Sequence, residues 1–166
     1  AELALPLKHW VRLEAKPPGL EGKGELTLEI LTKNSLRMRP DRIIVGEVRH
    51  DEAFTLFTAL NTGHDGCLGT IHANSPQETI VRVTSPPMNV PEVMLSGLDL
   101  IIIQHKIHDK RKGTIRRVTE IAEISGVLLQ RAQTQTIFER NAVSDTLERT
   151  NIPIKFLKIL EDFTGM

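Results

Sequence analysis

The sequence is short of the features that define several protein classes. It has one cysteine, Cys67, which excludes an intramolecular disulfide and leaves a cysteine-based metal cluster without ligands. Tyr is absent and aromatics make up 4%, too few to line a stacking platform for single-stranded nucleic acid. Neither sign of charge is in excess, with 21 Lys and Arg against 21 Asp and Glu. A uniformly basic nucleic-acid surface is therefore not indicated, while a local patch stays open. Long hydrophobic runs are missing too. The stretch Leu98 to Gln104 is the longest, and Asp99 interrupts it; roughly 20 apolar residues are needed to cross a bilayer. No signal-peptide pattern opens the chain. The six histidines are scattered without metal-ligand spacing, and no G-x-S-x-G nucleophile pattern occurs.

What is present is an ordinary globular composition, 40% hydrophobic over 166 residues, enough to bury a sizeable core. "HWVRLEA" (His9 to Ala15) alternates and predicts a short strand, followed by a Pro- and Gly-rich loop through Gly24. "TLEILTKNSLRM" (Thr27 to Met38) has a helical apolar stripe that Pro40 stops. "DRIIVGEV" reads as a buried strand, because consecutive β-branched residues suit a strand covered on both faces. Asp51 is placed to cap a helix ending at Gly63. "CLGTIHA" predicts the next strand. Ser75-Pro76 with Glu78 resembles a capping box opening "PQETIVRVT". A short helix after Pro91, a strand "DLIIIQHKI", a hairpin tip "HDKRKGT" and a returning strand "IRRVTEIAEISGV" follow. From about Leu128 the pattern predicts a strand "QTIFER" and two helical stretches separated by Asn151-Ile152-Pro153. In the second, Ile154, Phe156, Leu157, Ile159, Leu160 and Phe163 form an amphipathic face. Strands alternating with helices predict an α/β fold with a parallel core sheet, later antiparallel strands and a helical tail.

Ligands of parallel α/β sheets gather at the carboxyl ends of the strands. Two predicted strands end in such side chains, Glu47 after "IIVG" and His72 after "LGTI". A glutamate there can orient a water in line with a terminal phosphate. The same acid is equally well read as a cap or a salt-bridged surface group. A histidine at a strand end is more often structural than functional. Thr70 and Asn74 beside it can donate to phosphate oxygens or cap turns. Gly63-His64-Asp65-Gly66 reads first as a tight turn. Arg49, two residues past Glu47, can pair with an acid or a phosphate.

Taken together, "LRMRPDRIIVGEVR" resembles the Walker B segment of the secretion ATPase superfamily, which includes type II secretion ATPases, type IV pilus motors, archaellum motors and conjugation ATPases. "TGHDGCLGTIHANS" resembles that family's histidine box, T-G-H followed by G-T-x-H-x-N. "RVTSPPMNVPEVMLSGLDLIIIQ" and "RRVTEIAEI" look most like the archaeal branch. The resemblance spans about Ala1 to Gly126. It implies the carboxyl-terminal portion of a RecA-like ATPase domain over residues 1–127, with an extension over 128–166. It also implies ATP and Mg²⁺ as cofactors. Glu47 would be the Walker B glutamate near Mg²⁺ (an indirect, water-mediated ligand) and the attacking water. His72 would lie close to the γ-phosphate, Thr70 and His64 belong to the same box, and Arg49 would link neighbouring acids. Glu2 matches the last acid of the family's aspartate box at the catalytic centre. The implied partners are five further copies in a homohexamer and a platform protein of the cytoplasmic membrane, with a cytoplasmic location peripheral to that membrane.

One departure counts against a self-sufficient enzyme. The phosphate-cradling G-x-x-x-x-G-K-[ST] occurs nowhere in these residues; Gly22-Lys23 is followed by Gly24. The chain has no initiator Met and opens inside what reads as an element. The expectation is a piece of a motor whose amino-terminal half lies elsewhere, inactive alone, with apolar sheet edges prone to association. Two other readings stay in play: a non-catalytic assembly or interaction module, and a RecA-like nucleic-acid motor, which the neutral charge and scarce aromatics disfavour.

Overall fold

The computed structural model describes residues 3–110, 112–129 and 131–165. Two compact units emerge. The first comprises the described residues through Ile71 together with Ser85–Val90, the second His72–Thr84 with the described residues from Pro91 onward.

In the first unit, helix α1 (Leu28–Arg37) begins where the Thr27 hydroxyl accepts a hydrogen bond from the Ile30 amide at 3.2 Å. Strand β1 (Ile44–Val45), helix α2 (Glu52–Leu60) and strand β2 (Leu68–Gly69) form a βαβ unit. β1 and β2 pair in parallel, Ile44 opposite Leu68 and Val45 opposite Gly69. The helix buries Ala53, Leu56, Phe57 and Ala59, and Ile43, Val45 and Val48 are likewise buried in this unit. Asp51 stands at the predicted cap position but its side chain makes no capping bond. The buried Glu52 instead braces the turn before the helix, accepting from the amides of Arg49 at 2.6 Å and His50 at 3.0 Å. Both strands are only two residues long, much shorter than "DRIIVGEV" and "CLGTIHA" predicted. The predicted strand over His9 to Ala15 does not form. Its residues are largely exposed, and only an isolated bridge, Lys16 to Leu26, occurs nearby. Alternation without a neighbouring backbone to pair with yields no ladder.

The second unit is built on an antiparallel meander of β3 (Leu100–Asp109), β4 (Gly113–Leu128), β5 (Arg131–Asn141) and β6 (Thr146–Arg149), in that spatial order. Helix α3 (Pro76–Thr84) starts as predicted. Ser75 Oγ accepts from the Glu78 amide at 3.1 Å, while the Glu78 carboxylate reaches back to the Asn74 amide at 2.9 Å, one residue earlier than a standard capping box. A 3-10 helix (Glu92–Gly97) precedes β3. Ile101, Ile103 and Ile124 form the apolar centre, with Ile80 and Leu98 packed against it. β6 corrects the prediction of a helix before Asn151. Asp145 adopts a left-handed turn at φ 55°, and Thr146 to Arg149 pair with Asn141 to Phe138, so cross-strand pairing overrides the local preference of Leu147-Glu148-Arg149.

Helix α4 (Lys155–Thr164) forms where the tail predicted it. Its first amides are satisfied from within the sheet. Glu123, 2% exposed, accepts from Lys155 N at 3.0 Å, Phe156 N at 2.5 Å and Gln135 Nε2 at 2.7 Å. A carboxylate at a helix amino terminus meets unpaired N–H groups and the positive end of the dipole, which is what makes this burial affordable. Phe156 and Ile159 are half-buried while Leu157 and Leu160 stay exposed. The Phe163 side chain lies outside what is described.

Candidate functional site

The parallel pair brings Glu47 and Thr70 to one place. Gly46-Glu47 leaves the carboxyl end of β1, and Thr70 leaves that of β2. Val48 N donates to the Thr70 carbonyl at 2.8 Å, and the Thr70 hydroxyl donates to the Gly46 carbonyl. The residues on both sides of Glu47 are therefore tied to Thr70. Downstream, Glu52 holds the amides of Arg49 and His50. The loop is pinned at both ends, while the Glu47 carboxylate stays 28% exposed and pairs with Arg49 Nη2 at 2.6 Å. Such an acid has a fixed backbone and a solvent-reachable head, the requirements for orienting a water. Close packing supports this tip. A Cβ on Gly69 would lie 3.0 Å from Leu56 Cδ2 and 3.2 Å from Val48 Cγ2.

The Thr70 hydroxyl proton is directed at Gly46, so here Thr70 positions the loop. From the sequence Thr70 read as a phosphate donor or a turn cap, and Glu52 was overlooked. An acid at the first position of a helix, directly after the Arg49-His50-Asp51 turn, was the available signal.

His64 precedes β2 whereas Thr70 follows it, so the two lie at opposite ends of that strand. The turn is shaped by Gly63 at φ 84° and Gly66 at φ 73°. His64 N donates to the Ala59 carbonyl at 3.2 Å, and the Cys67 thiol donates to the His64 carbonyl at 3.0 Å. His64 Nδ1 is buried with no hydrogen-bond partner among the described residues. Burial pushes the Cys67 thiol up, opposed by a backbone hydrogen bond from Ile43 and the nearby Arg42 charge, which favours the protonated form.

His72 is exposed and opens the second unit. Asn74 is committed locally, its amide and its Nδ2 both donating to Glu78 at 2.9 and 3.0 Å. Those bonds, with Arg82, hold the Glu78 carboxyl below its usual value. Glu2 lies outside the described residues. Among the described residues, no group of three or more His, Cys, Asp or Glu is placed to hold a metal ion, and no helix is long and apolar enough to cross a membrane.

Comparison with known proteins adds the following. The family model described as "Type II/IV secretion system protein" matches residues 1–151. A protein of Mycobacterium tuberculosis, whose name provisionally assigns it to conjugal transfer, is 53% identical over 83 residues, covering 50% of this chain and 24% of that one. An uncharacterised protein of Methanocaldococcus jannaschii is 42% identical over 154 residues, covering 89% and 54% respectively. The chain thus spans about a quarter and about half of these relatives. Among solved structures, the VirB11 ATPase of the Brucella suis type IV secretion system, in complex with sulphate, superposes with a TM-score of 0.50 at 24% identity. That match covers 58% of this chain and 31% of the neighbour, and it supports the mixed α/β fold.

Proposed function

Because this chain belongs to the type II/IV secretion system protein family, we propose that it supplies the water-activating part of an ATP-hydrolysing motor in a secretion or pilus-like assembly system. The observation that carries the reading is the Glu47 loop, clamped by Thr70 on one side and Glu52 on the other with its carboxylate left accessible. The donor set fits the terminal-phosphate side of a nucleotide site. Glu47 offers an accepting oxygen for a water, or for a water bound to Mg²⁺, and Arg49 offers a guanidinium. It does not fit the other side, since the backbone cradle and its lysine have no counterpart in the sequence. Bound ATP and Mg²⁺ would supply the reacting phosphoryl group and the neutralising charge.

In this reading Glu47 orients the attacking water and takes its proton, and Thr70 keeps the Glu47 backbone in register. Arg49 balances the Glu47 charge in the resting state. His72 approaches the γ-phosphate; Glu2 joins the catalytic centre, and His64 braces the turn of the histidine box. Residues 1–127 form the second half of a RecA-like domain and residues 128–166 an extension. The phosphate cradle comes from an amino-terminal half. The working form is a homohexamer, cytoplasmic and peripheral to the membrane, acting on a membrane platform protein rather than on nucleic acid.

The test is Mg²⁺-dependent ATP hydrolysis by this chain, by the full-length protein, and by the Glu47→Gln form of each. Expected is activity in the full-length wild type alone, with a loss of a hundredfold or more on Glu47→Gln, the scale on which a positioned general base acts. Full-length protein indifferent to Glu47→Gln would sink the assignment.

A further inference from the structure

The β3–β4 hairpin concentrates positive charge in a chain that is neutral overall. Residues 105–117 hold Lys106, Lys110, Arg111, Lys112, Arg116 and Arg117 against the single acid Asp109. Because the two signs balance over the whole sequence, the remainder is net acidic. In the ladder, Lys106 lies directly opposite Arg116, and His108 opposite Thr114. Lys106, His108, Lys110 and Arg116 are all exposed. Like charges facing each other across antiparallel strands repel. The neighbouring cations are relieved of this, since Asp145 binds Arg117 and Arg140 at 2.9 Å each and Lys112 at 3.5 Å. No carboxylate among the described residues does the same for Lys106 or Arg116.

Further along β4 and across β5 and β6 the same sheet carries the complementary anomaly. Glu120 lies opposite Glu139, and Glu139 opposite Glu148, so three glutamates form one row across β4, β5 and β6. Glu139 and Glu148 are exposed. The donors that reach this row are neutral hydroxyls, Thr136 to Glu120 at 2.6 Å and Ser144 and Thr146 to Glu148 at 3.2 and 3.1 Å. The basic and acidic arrays make no salt bridge with each other among the described residues.

We propose that the two arrays are halves of one contact: the Lys106/Arg116 face of one copy docks on the Glu139/Glu148 row of a second copy. Opposed side chains in a sheet sit about 5 Å apart in both arrays, so cation and carboxylate pairs match in spacing. Each array is repulsive within its own sheet and attractive towards the other, which makes association relieve both. The contact joins different patches of identical chains. It is therefore head-to-tail, and it repeats into a ring or a filament according to whether the rotation closes. A membrane fits the hairpin less well, because the tip sequence Asp109 to Gly113 offers no apolar or aromatic residue to insert. This inference rests on the self-assembly in the proposed function but not on its chemistry. Its assay needs no nucleotide, and Glu47→Gln is expected to leave association unchanged.

The experiment is sedimentation velocity of the full-length protein without nucleotide, for wild type, for Lys106→Glu with Arg116→Glu, and for Glu139→Lys with Glu148→Lys. Each double variant alone should associate at least tenfold more weakly. An equimolar mixture of the two should regain wild-type association, because the reversed hairpin now meets a reversed row; that rescue also proves both variants folded. Raising salt from 50 to 500 mM should weaken wild-type association as surface charges are screened. Association unchanged in either double variant, or no rescue on mixing, overturns the proposal. So does a wild-type protein that stays monomeric. Binding of the wild type to phosphatidylglycerol vesicles, lost with the hairpin reversal alone while self-association persists, would assign the hairpin to a membrane instead.

Discussion

The first unit pairs two strands of two residues each, and the second pairs strands of 10, 16, 11 and 4 residues. The short parallel pair owes little to its own ladder. It is held by α2 packing its apolar face, by Gly69 letting Leu56 and Val48 approach, and by side chains such as Thr70 and Glu52 that complete the backbone bonding. The long meander satisfies its backbone through consecutive pairing and uses side chains for special tasks, as where Glu123 reaches out to start α4. The difference shows where each unit can change. A strand tip held by a few specific side chains is a place for chemistry, whereas a continuous ladder is a platform that tolerates surface variation and can present charge arrays.

If the meander depends on a few special side chains as well as its ladder, Glu123→Ala should be the most damaging change to stability in the comparison. It leaves two helix amides and Gln135 without their carboxylate, at a cost of about 3 kcal/mol. Hydrogen exchange at the α4 and β4 amides would read it, and unchanged protection there would mean that water substitutes freely. For the first unit the corresponding change is Gly69→Val. The added methyls meet Leu56 and Val48 at contacts already near the limit, and overpacking of this kind costs about 2 kcal/mol. Loss of exchange protection is expected in α2 and the β1–β2 pair.

The same contrast explains what could be read from the sequence. Features with local causes were legible: Ser75 as a helix cap, Pro40 as a stop, the Asp109–Gly113 hairpin, and the existence of α4; the Thr27 cap was not singled out. Features caused by remote partners were not. The stretch around Trp10 alternates correctly but finds no neighbour, and Leu147-Glu148-Arg149 becomes a strand because β5 lies beside it. Glu47 was legible as a strand-end residue, whereas the second strand was expected to end at His72 and ends at Gly69, which puts Thr70 at its tip; the Thr70 bond to Gly46 needs the β1–β2 register, which no single-strand pattern encodes. Glu123 was hidden because nothing in "TEIAEIS" distinguishes a buried capping carboxylate from a solvent-facing one.

A milder probe of the strand tip is Thr70→Val, which keeps the shape and removes the bond to the Gly46 carbonyl. Because Thr70 is exposed, water can serve that carbonyl in its place, so the stability cost should be about 1 kcal/mol or less. In the full-length protein kcat should fall while KM for ATP changes little, and Thr70→Ser should restore kcat. A rise in KM with kcat preserved would instead mean that Thr70 contacts phosphate.

The smallest effect is expected at the edge of the meander. Asp145 is held well below the ordinary carboxylate range by its hydrogen bonds to Arg117 and Arg140. A depressed native value means that the unfolded chain takes up a proton first as pH falls. The Asp145 contribution is therefore complete above the unfolded carboxyl value of about 4 and drains away as pH drops below it towards the native value. Urea midpoints of wild type and Asp145→Asn should differ most at pH 7, and the gap should begin to narrow as pH falls below about 4. The depressed Glu78 carboxyl titrates in both proteins and cancels from the difference. Since the cluster is solvent-exposed, raising the salt concentration at pH 7 should narrow the gap as well. A gap independent of both pH and salt would mean that Asp145 acts through the shape of the β5–β6 turn, where its left-handed backbone suits Asn equally, and not through its charge.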